Sequence, residues 1–259
     1  MITLMSRYWW PYRTIVIKEV RRFLRIWVQT VLPPVVTTVL YYVIFGGLIG
    51  SRIGEMDGYA YIDFIVPGLI LMTVITNSYA NVVSSFYSSK FQGFVEELLI
   101  APVPHWIILA GYVTGGIVRG LTVGLAVTLV SLFFTDLAVH HLGVTLLVVV
   151  LTGVLFATAG FINAIYANSF DDISVVPTFV LTPLTYLGGV FYSIGTLPEF
   201  WQGISLANPV LYMINAFRYG LLGTTDVNPA VAFAVIAAFI AGLIAFSLWL
   251  LHRGVGLKA

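Results

Sequence analysis

The sequence predicts an all-α integral membrane protein with six transmembrane helices. Hydrophobic residues make up 59% of the chain and charged residues 9%, and the mean hydropathy is +1.00. Long apolar runs recur along the chain, and basic residues concentrate between alternate runs. Water cannot be the main solvent for such a surface, so the bilayer is the expected environment. The 12 basic and 11 acidic residues nearly balance and give no indication of a nucleic-acid partner.

Six apolar runs approach or exceed the roughly 20 residues that cross the hydrocarbon core of a membrane. The predicted spans are Trp27–Ile49, Tyr61–Ser84, Trp106–Phe134, Leu142–Tyr166, Ile173–Phe191 and Pro229–Leu251. We expect one transmembrane domain over 1–259, with an amphipathic cytoplasmic helix at 1–26, a six-span core at 27–251 and a cytoplasmic tail at 252–259.

The distribution of basic residues predicts the orientation of the chain. With the N-terminus in the cytoplasm, only Arg52 and Arg218 fall in outer loops, and Arg119 lies within the third span. The inner segments hold Arg7, Arg13, Lys18, Arg21, Arg22, Arg25, Lys90, Arg253 and Lys258. Because cytoplasmic loops carry the excess of Lys and Arg, both termini are expected inside.

The N-terminal segment has the pattern of a helix that lies at the membrane interface. Its basic residues share an arc of about 100° on a helical wheel: Lys18, Arg21, Arg22 and Arg25. Aromatic and apolar residues, including Phe23 and Trp27, occupy the opposite side. The basic face can meet anionic headgroups or an acidic protein surface. A simple positive anchor is the alternative.

The loop between the second and third spans predicts a short cytoplasmic helix. Ser89 and Gln92 offer a capping-box start, and Pro102 and Pro104 end the segment. The helix carries adjacent carboxylates, Glu96 and Glu97. These are either solvated surface charges or part of a docking surface for another protein. The loop Asn168–Asp172 is a second candidate for the same docking role.

Polar residues form a stripe along one face of the second span: Thr73, Asn77, Asn81, Ser84 and Ser88. Amides in hydrocarbon need hydrogen-bond partners. Either the stripe bonds to a neighbouring helix, or it lines a wet or substrate-filled pathway, and the pattern does not decide between the two.

The third span combines closely spaced glycines with one arginine. Gly111, Gly115, Gly116, Gly120 and Gly124 indicate close helix packing. The apolar run around Arg119 is long enough to place this residue near the inner interface. There it is expected to pair with Asp171 or Asp172. A role as an intramembrane relay or as a counter-charge for substrate is the alternative.

Between the fifth and sixth spans, local signals predict two short helices. Thr196 with Glu199 suggests a capping box, and Asn208 followed by Pro209 suggests an N-cap with proline in the first turn. Gly223 is placed to end the second helix. The segment therefore ends a span and lays down structure on the outer face before the last span begins.

Enzyme chemistry in this chain is not expected. There is no cysteine, and the four histidines are His105, the adjacent pair His140 and His141, and His252, which do not form a metal-ligand pattern. No Gly-Lys pair occurs, so a phosphate-binding P-loop is absent. Any ATP hydrolysis would come from another polypeptide.

One spacing resembles the signature of the type 2 ABC exporter permeases. It reads Leu181-x2-Leu184-x2-Leu187-Gly188-x-Val190-x6-Leu197-Pro198-x10-Pro209-x2-Tyr212-x5-Arg218, and only Val210 departs from the family pattern. The resemblance recurs in other segments, which include Phe23–Thr30, Glu96–Pro104, Phe170–Ile173 and Pro177–Phe179.

The resemblance implies a transmembrane subunit in the bacterial inner membrane that works as two copies with two copies of an ATP-binding subunit. ATP and Mg would then bind the partner subunit and no cofactor would bind this chain. The cargo would be an amphipathic lipid, a lipid-linked glycan or a hydrophobic drug.

The resemblance also implies roles for particular residues. The segment Gln92–Ala101 would be the coupling helix that docks on the ATPase, with Phe94, Glu96, Glu97, Leu98, Asp171 and Asp172 in the docking surface. The translocation path along the dimer interface would be lined by Asn77, Asn81, Ser84, Thr182 and Tyr186. An outer gate would use Phe191, Phe200, Trp201 and Tyr212, although Tyr212 and Arg218 could instead hold the outer helix in register.

A second hypothesis is an ion-coupled secondary transporter or channel that needs no ATPase. Such a protein needs ionisable groups at mid-membrane. The spans offer Arg119 and Asp63, both expected near an interface.

Overall fold

The computed structural model describes residues 4–137 and 139–256, with side chains described from residue 8 onward. About 81% of the described residues are helical. The strands of the described chain form one antiparallel hairpin, Glu55–Met56 paired with Tyr59–Ala60. Its turn residues Asp57 and Gly58 both have positive φ, of 52° and 81°, as a tight two-residue hairpin requires. The predicted all-α fold is therefore nearly correct, since the described residues add one short β-hairpin to the helices.

Twelve α-helices follow one another along the described residues. They are α1 (Leu4–Arg25), α2 (Trp27–Tyr41), α3 (Gly50–Ile53), α4 (Tyr61–Phe91), α5 (Phe94–Ile100), α6 (His105–Ser131), α7 (Leu142–Tyr166), α8 (Asp172–Val176), α9 (Thr182–Leu187), α10 (Glu199–Leu206), α11 (Pro209–Leu222) and α12 (Pro229–Arg253). Two π-helical segments, Tyr42–Ile49 and Pro177–Leu181, join α2 to α3 and α8 to α9, and Ile194–Thr196 is a 3₁₀ turn.

Five helical segments of the described chain are long and apolar enough to cross a membrane: Trp27–Ile53, Tyr61–Phe91, His105–Ser131, Leu142–Tyr166 and Pro229–Arg253. The predicted fifth span, Ile173–Phe191, is instead the shorter apolar run Asp172–Leu187. At 1.5 Å per residue it is about 24 Å long, against a hydrocarbon core of about 30 Å. Pro177 and Pro183 each remove a backbone donor from this run, and Gly188 and Gly189 end it.

Helix α4 is the centre of the bundle and packs against α6, α7 and α11. Glycines of the neighbouring helices allow this close approach. A Cβ atom on Gly120 would lie 2.0 Å from Ser78 Oγ, and one on Gly160 would lie 2.6 Å from Tyr79 O. The prediction that glycines of the third span serve close packing is confirmed for α6 against α4.

Helix α1 lies against α6 rather than apart from the bundle. A Cβ atom on Gly111 would lie 2.6 Å from Ile15 Cγ2, and one on Gly115 would lie 2.5 Å from Glu19 Cβ. The Tyr12 hydroxyl is 3.0 Å from Thr114 Oγ1. The buried stripe of α1 is therefore turned toward protein along its length.

The local signals around the two short helices α10 and α11 are only partly correct. Asn208 caps α11, because its Oδ1 accepts a hydrogen bond from Val210 N at 2.9 Å, and Gly223 ends that helix with φ 80°. Thr196 does not cap α10. Its hydroxyl donates to Ser193 O, and the residue before α10 is Pro198.

The predicted coupling helix is shorter than Gln92–Ala101 and has a different start. Ser89 lies inside α4, where its hydroxyl donates to Ser85 O, so it does not cap the next helix. Helix α4 continues to Phe91. Gly93, with φ 79°, separates it from α5, which begins at Phe94. A left-handed backbone suits glycine, which explains why the break falls there.

Candidate functional site

A buried polar cluster joins α1 to α4, and it consists of Glu19, Arg22, Asn81 and Ser85. The Glu19 side chain has no exposed surface. Its Oε1 accepts a hydrogen bond from Ser85 Oγ at 2.5 Å, and its Oε2 accepts one from Asn81 Nδ2 at 3.4 Å. The Arg22 Nε atom lies 3.6 Å from the same Oε2. A buried carboxylate is stable only with such partners, and this one has three.

Arg22 turns into the protein rather than toward headgroups alone. Its Nη2 donates to Asn81 O at 2.7 Å and to Asn81 Oδ1 at 2.9 Å, and its Nη1 donates to Ser84 Oγ at 3.4 Å. Lys18 Nζ likewise donates to Ser89 Oγ at 3.2 Å, while Arg21 and Arg25 are exposed. The predicted basic face therefore divides into two residues bonded to α4 and two that face outward.

These bonds correct the path assignment of Asn81. The side chain is wholly buried and bonds to α1, so it does not line an open pathway in this chain. Asn77 is also buried and donates to Thr73 O within its own helix. Ser84 is half-buried and bonded to Arg22. Of the two readings of the polar stripe, bonding to a neighbouring helix is the one observed for Asn81 and Ser84, because α1 covers that face of α4.

Glu19 is a residue that the sequence analysis did not identify. The available signal was a single carboxylate on a helix whose other charged residues are basic. Only the docking of α1 on α4 and α6 shows that this carboxylate is buried.

Arg119 does not pair with Asp171 or Asp172, contrary to the prediction. It lies one turn beyond Gly115, whose Cβ position faces Glu19, on the side of α6 that faces α1. Its Nε is buried and has no hydrogen-bond partner among the described residues. Asp172 cannot reach it, because its carboxylate is bonded within its own loop.

The α5 end of the bundle presents a short exposed helix. Phe94, Glu96 and Glu97 are exposed, whereas Val95 is buried and Leu98 packs half-buried against the core. Helix α5 is thus anchored by one side and presents an aromatic ring and two carboxylates on the other. Ile100, at its end, is also almost fully exposed.

The neighbouring loop is ordered by a capping box that the sequence analysis did not recognise. Asp172 Oδ2 accepts hydrogen bonds from Asn168 N at 2.8 Å and from Ser169 N at 3.1 Å, and Ser169 Oγ accepts one from Asp172 N at 3.1 Å. The bond from the Asn168 amide is the main cause that holds the pKa of the Asp172 carboxyl below its usual range. Asp171 is exposed and remains available to a partner.

Aromatic packing and hydrogen bonds from Lys90 fix this loop to α4. The Phe170 ring packs edge-on against Tyr87 at 4.9 Å and against Phe91 at 5.3 Å between centroids. Lys90 Nζ donates to Ile165 O at 2.6 Å and to Ala167 O at 2.7 Å, which satisfies carbonyls at the C-terminal end of α7. The end of α4, the α5 helix and the loop therefore form one connected surface.

At the other end, one predicted path residue, Tyr186, and one predicted gate residue, Phe191, meet in an aromatic cluster. The hydroxyls of Tyr186 and Tyr41 lie 3.2 Å apart, and Phe191 packs against Tyr186 at 5.7 Å and against Phe45 at 4.7 Å. Thr182 and Tyr186 are exposed. A cavity of about 250 Å³ lies beside this cluster between α2 and α4. Its walls include Thr37, Thr38, Tyr41, Thr73 and Thr76.

The remaining predicted gate residues differ in their surroundings. Phe200 and Trp201 are exposed and pack edge-on at 5.5 Å. Tyr212 instead donates its hydroxyl to Leu206 O at 2.7 Å, which ties α11 to the end of α10. Arg218 is buried, donates from Nη2 to Gly189 O at 2.7 Å and lies 3.8 Å from the centre of the Phe64 ring. These contacts tie α11 to Gly189 and to α4, as the hypothesis that Arg218 holds the outer helix in register expects.

A model of the ABC-2 type transporter family matches residues 11–222. The chain belongs to this family. It is 57% identical to the inner membrane transport permease YadH of Escherichia coli K12 over 256 residues, which is 99% of this chain and 100% of YadH. It is also 24% identical to nodulation protein J of Rhizobium leguminosarum bv. viciae over 83% of each chain, and 25% identical to nodulation protein J of Rhizobium meliloti over 73% of this chain and 72% of that protein.

Family membership and the apolar helices together define the class of this permease. It is a multi-pass inner membrane protein and a transport subunit that is not itself catalytic. ABC-2 permeases associate with an ATP-binding subunit. Within the residues whose side chains are described, no three His, Asp or Glu side chains cluster in a way that could hold a metal ion.

Proposed function

We propose that this permease is the membrane subunit of an ATP-driven exporter. Two copies would pair with each other and with two copies of an ATP-binding subunit. Both termini of each copy would lie in the cytoplasm, which requires the shorter run Asp172–Leu187 to complete a sixth crossing beside the five candidate spans. The observation that carries the proposal is the α5 surface, where Phe94, Glu96 and Glu97 project from a helix anchored by Val95. For a partner ATPase to move the permease, it needs an exposed surface of this kind that is rigidly attached to the helical bundle.

The path of force follows from the connection between α5 and α4. Only Gln92 and Gly93 separate the two helices, and α4 is the most deeply buried helix of the five candidate spans. A displacement of α5 by the ATPase would therefore act on the centre of the bundle. The loop that carries Asp171 would move with it, because Phe170 is packed on Tyr87 and Phe91.

The second copy is expected on the face formed by α2 and the run Asp172–Leu187. Apolar side chains on both elements are exposed, among them Leu32, Val36, Leu40 and Phe179. Thr182, Tyr186 and the threonine-lined cavity beside Tyr41 would then line the path between the copies. Hydroxyls set in an apolar surface suit an amphipathic cargo such as a lipid, a lipid-linked glycan or a hydrophobic drug.

The outer gate would close with apolar side chains. Phe191 is held in the aromatic cluster, and Phe200 and Trp201 project from α10 where a second copy could contact them. Tyr212 would act on the gate indirectly, because its bond to Leu206 O sets the angle between α10 and α11.

The ion-coupled alternative finds little support in the positions of the ionisable residues. Asp63 lies in the first turn of α4 and accepts a hydrogen bond from Thr135. Arg119 lies beside the buried polar cluster near Arg22. Asp63 therefore lies at one end of α4, and Arg119, near the midpoint of α6, forms no ion pair among the residues whose side chains are described.

The experiment is a charge reversal at the docking surface. Glu97→Arg should abolish co-purification of the ATP-binding subunit while insertion and self-association persist. Glu199→Arg is the matched control, because Glu199 is an exposed carboxylate in the first turn of α10 at the opposite end of the bundle. A normal yield of ATPase with Glu97→Arg would overturn the docking assignment. Cargo movement by the permease alone, without ATP, would overturn the exporter proposal as a whole.

A further inference from the structure

We infer that Arg22 and Arg119 form a binding site for the phosphate group of an anionic membrane lipid, at the junction between α1 and α2. This site goes beyond the proposed function and does not depend on ATP-driven transport. The arguments are the charge balance of the buried polar cluster, its depth in the membrane and its access from the lipid.

The charge balance around the cluster is unfavourable without another anion. Gly111 faces Ile15 and Gly115 faces Glu19 across the contact between α6 and α1, and Arg119 and Arg22 each lie about one helical turn beyond that second contact. Glu19 is the one carboxylate bonded in the cluster among the described residues. Glu19 already accepts from Ser85 and Asn81 and faces Arg22 at 3.6 Å. Arg119 has no ion-pair partner among the residues whose side chains are described, and its buried Nε lacks an acceptor. A second, largely buried guanidinium without an anion is costly, so an added anion is expected.

The depth of the cluster coincides with the lipid phosphates. Asn81 follows Tyr61, the first residue of α4, by 20 residues of continuous helix. At 1.5 Å per residue this is about 30 Å, the thickness of the hydrocarbon core. Helix α4 then continues to Phe91, about 15 Å further. If α4 enters the hydrocarbon near Tyr61, the cluster lies where the core meets the headgroups of the leaflet at the α5 end.

The cluster can be reached from that leaflet. Helix α1 ends at Arg25 and α2 begins at Trp27, so the helix is interrupted at Ile26, about one turn after Arg22. The Arg22 side chain is 31% exposed. Around the break the apolar side chains of Leu24, Ile26 and Trp27 are exposed and could lie against acyl chains, with Trp27 at the interface. A guanidinium group binds phosphate through two parallel hydrogen bonds. Arg119, whose Nε lacks an acceptor, can offer this pair, whereas Arg22 is already bonded to Asn81 and Ser84 and adds its positive charge.

The test is lipid retention by the purified permease, measured by native mass spectrometry after equilibration with phosphatidylglycerol or phosphatidylcholine. Wild type should retain phosphatidylglycerol in preference. Arg119→Gln should lower that preference about tenfold, as expected for the loss of one charge-assisted bidentate contact. Arg52→Gln removes an exposed charge from α3 at the opposite end of the bundle and should leave the preference unchanged. Equal loss in both variants, or none in Arg119→Gln, would overturn the site.

Two further measurements are needed. One distinguishes a structural role of Arg119 from lipid binding, and the other distinguishes a lipid headgroup from free phosphate as the ligand. Arg119→Lys keeps the charge and should retain most of the preference for phosphatidylglycerol. Loss of the preference in Arg119→Gln and in Arg119→Lys alike, with normal gel-filtration profiles, would assign Arg119 a purely structural role. Thermal unfolding of the wild-type permease should shift upward with phosphatidylglycerol and not with phosphatidylcholine. A similar shift with inorganic phosphate alone would identify a site for phosphate itself rather than for a lipid headgroup, and no selective shift with either would refute the proposal.

Discussion

Glu19 on α1 accepts a hydrogen bond from Ser85 on α4 at 2.5 Å, and both side chains are buried. The two residues are 66 positions apart in the sequence. Because water cannot replace this bond, it holds the N-terminal helix against the central helix of the permease. The contact places a buried carboxylate where α1, α4 and α6 meet.

Replacing Glu19 with leucine should destabilise the permease by about 3 kcal/mol, because Arg22, Asn81 and Ser85 would lose their buried acceptor. Glu19→Gln keeps an acceptor and should cost less. The measurement is the unfolding midpoint in detergent. Glu55→Leu, at an exposed position, is the control and should stay within about 0.5 kcal/mol of wild type. Equal stability of Glu19→Leu and wild type would contradict the assignment.

Gly115→Ala should lower the stability of the permease, whereas Gly242→Ala should not. A Cβ on Gly115 would lie 2.5 Å from Glu19 Cβ, so α1 would have to move away from α6. A Cβ on Gly242, also inside a helix, would meet nothing within 4 Å. Alanine is a better helix former than glycine by about 0.8 to 1 kcal/mol, so this control should be neutral or stabilising. Thermal unfolding should show a lowered midpoint for Gly115→Ala and no decrease for Gly242→Ala, and equal decreases in the two variants would argue against close α1–α6 packing.

Arg218→Lys should cost about 3 kcal/mol although it keeps the positive charge. The lysine ammonium cannot at once reach Gly189 O and lie flat over the Phe64 ring, as the guanidinium does at 2.7 Å and 3.8 Å. Arg52→Lys, at an exposed position, is the matched control. Chemical unfolding distinguishes the two. A variant at Arg218 as stable as the one at Arg52 would show that the buried guanidinium is dispensable.

The loop capped by Asp172 should lose order in acid. Because its pKa lies below the ordinary value of 3.8, the ionised carboxylate stabilises the loop above that value. This stabilisation disappears as the pH falls through the lowered pKa of the folded loop. Hydrogen-exchange protection of the Asn168 and Ser169 amides should therefore be high near neutral pH and lost in strong acid. Asp172→Asn should show weaker protection that does not change over the same range.

Local signals in the sequence were reliable where the structure they describe is local. The cap at Asn208, the helix end at Gly223 and the close-packing glycines of α6 are all observed. The prediction failed where two local patterns competed. Thr196 and Ser89 both fit a capping box, but a proline or a continuing helix decided the boundary instead.

The composition and apolar runs of this sequence by themselves determined a helical membrane protein, and the motif spacing identified the ABC-2 family. Only the tertiary structure decided which side of each helix is covered. Asn81 belongs to a buried cluster, Arg119 faces Arg22 instead of Asp171, and Glu19 is buried, because α1 docks in the angle between α4 and α6. Helical periodicity states which residues share a face, whereas the neighbour of that face depends on contacts between residues distant in the chain.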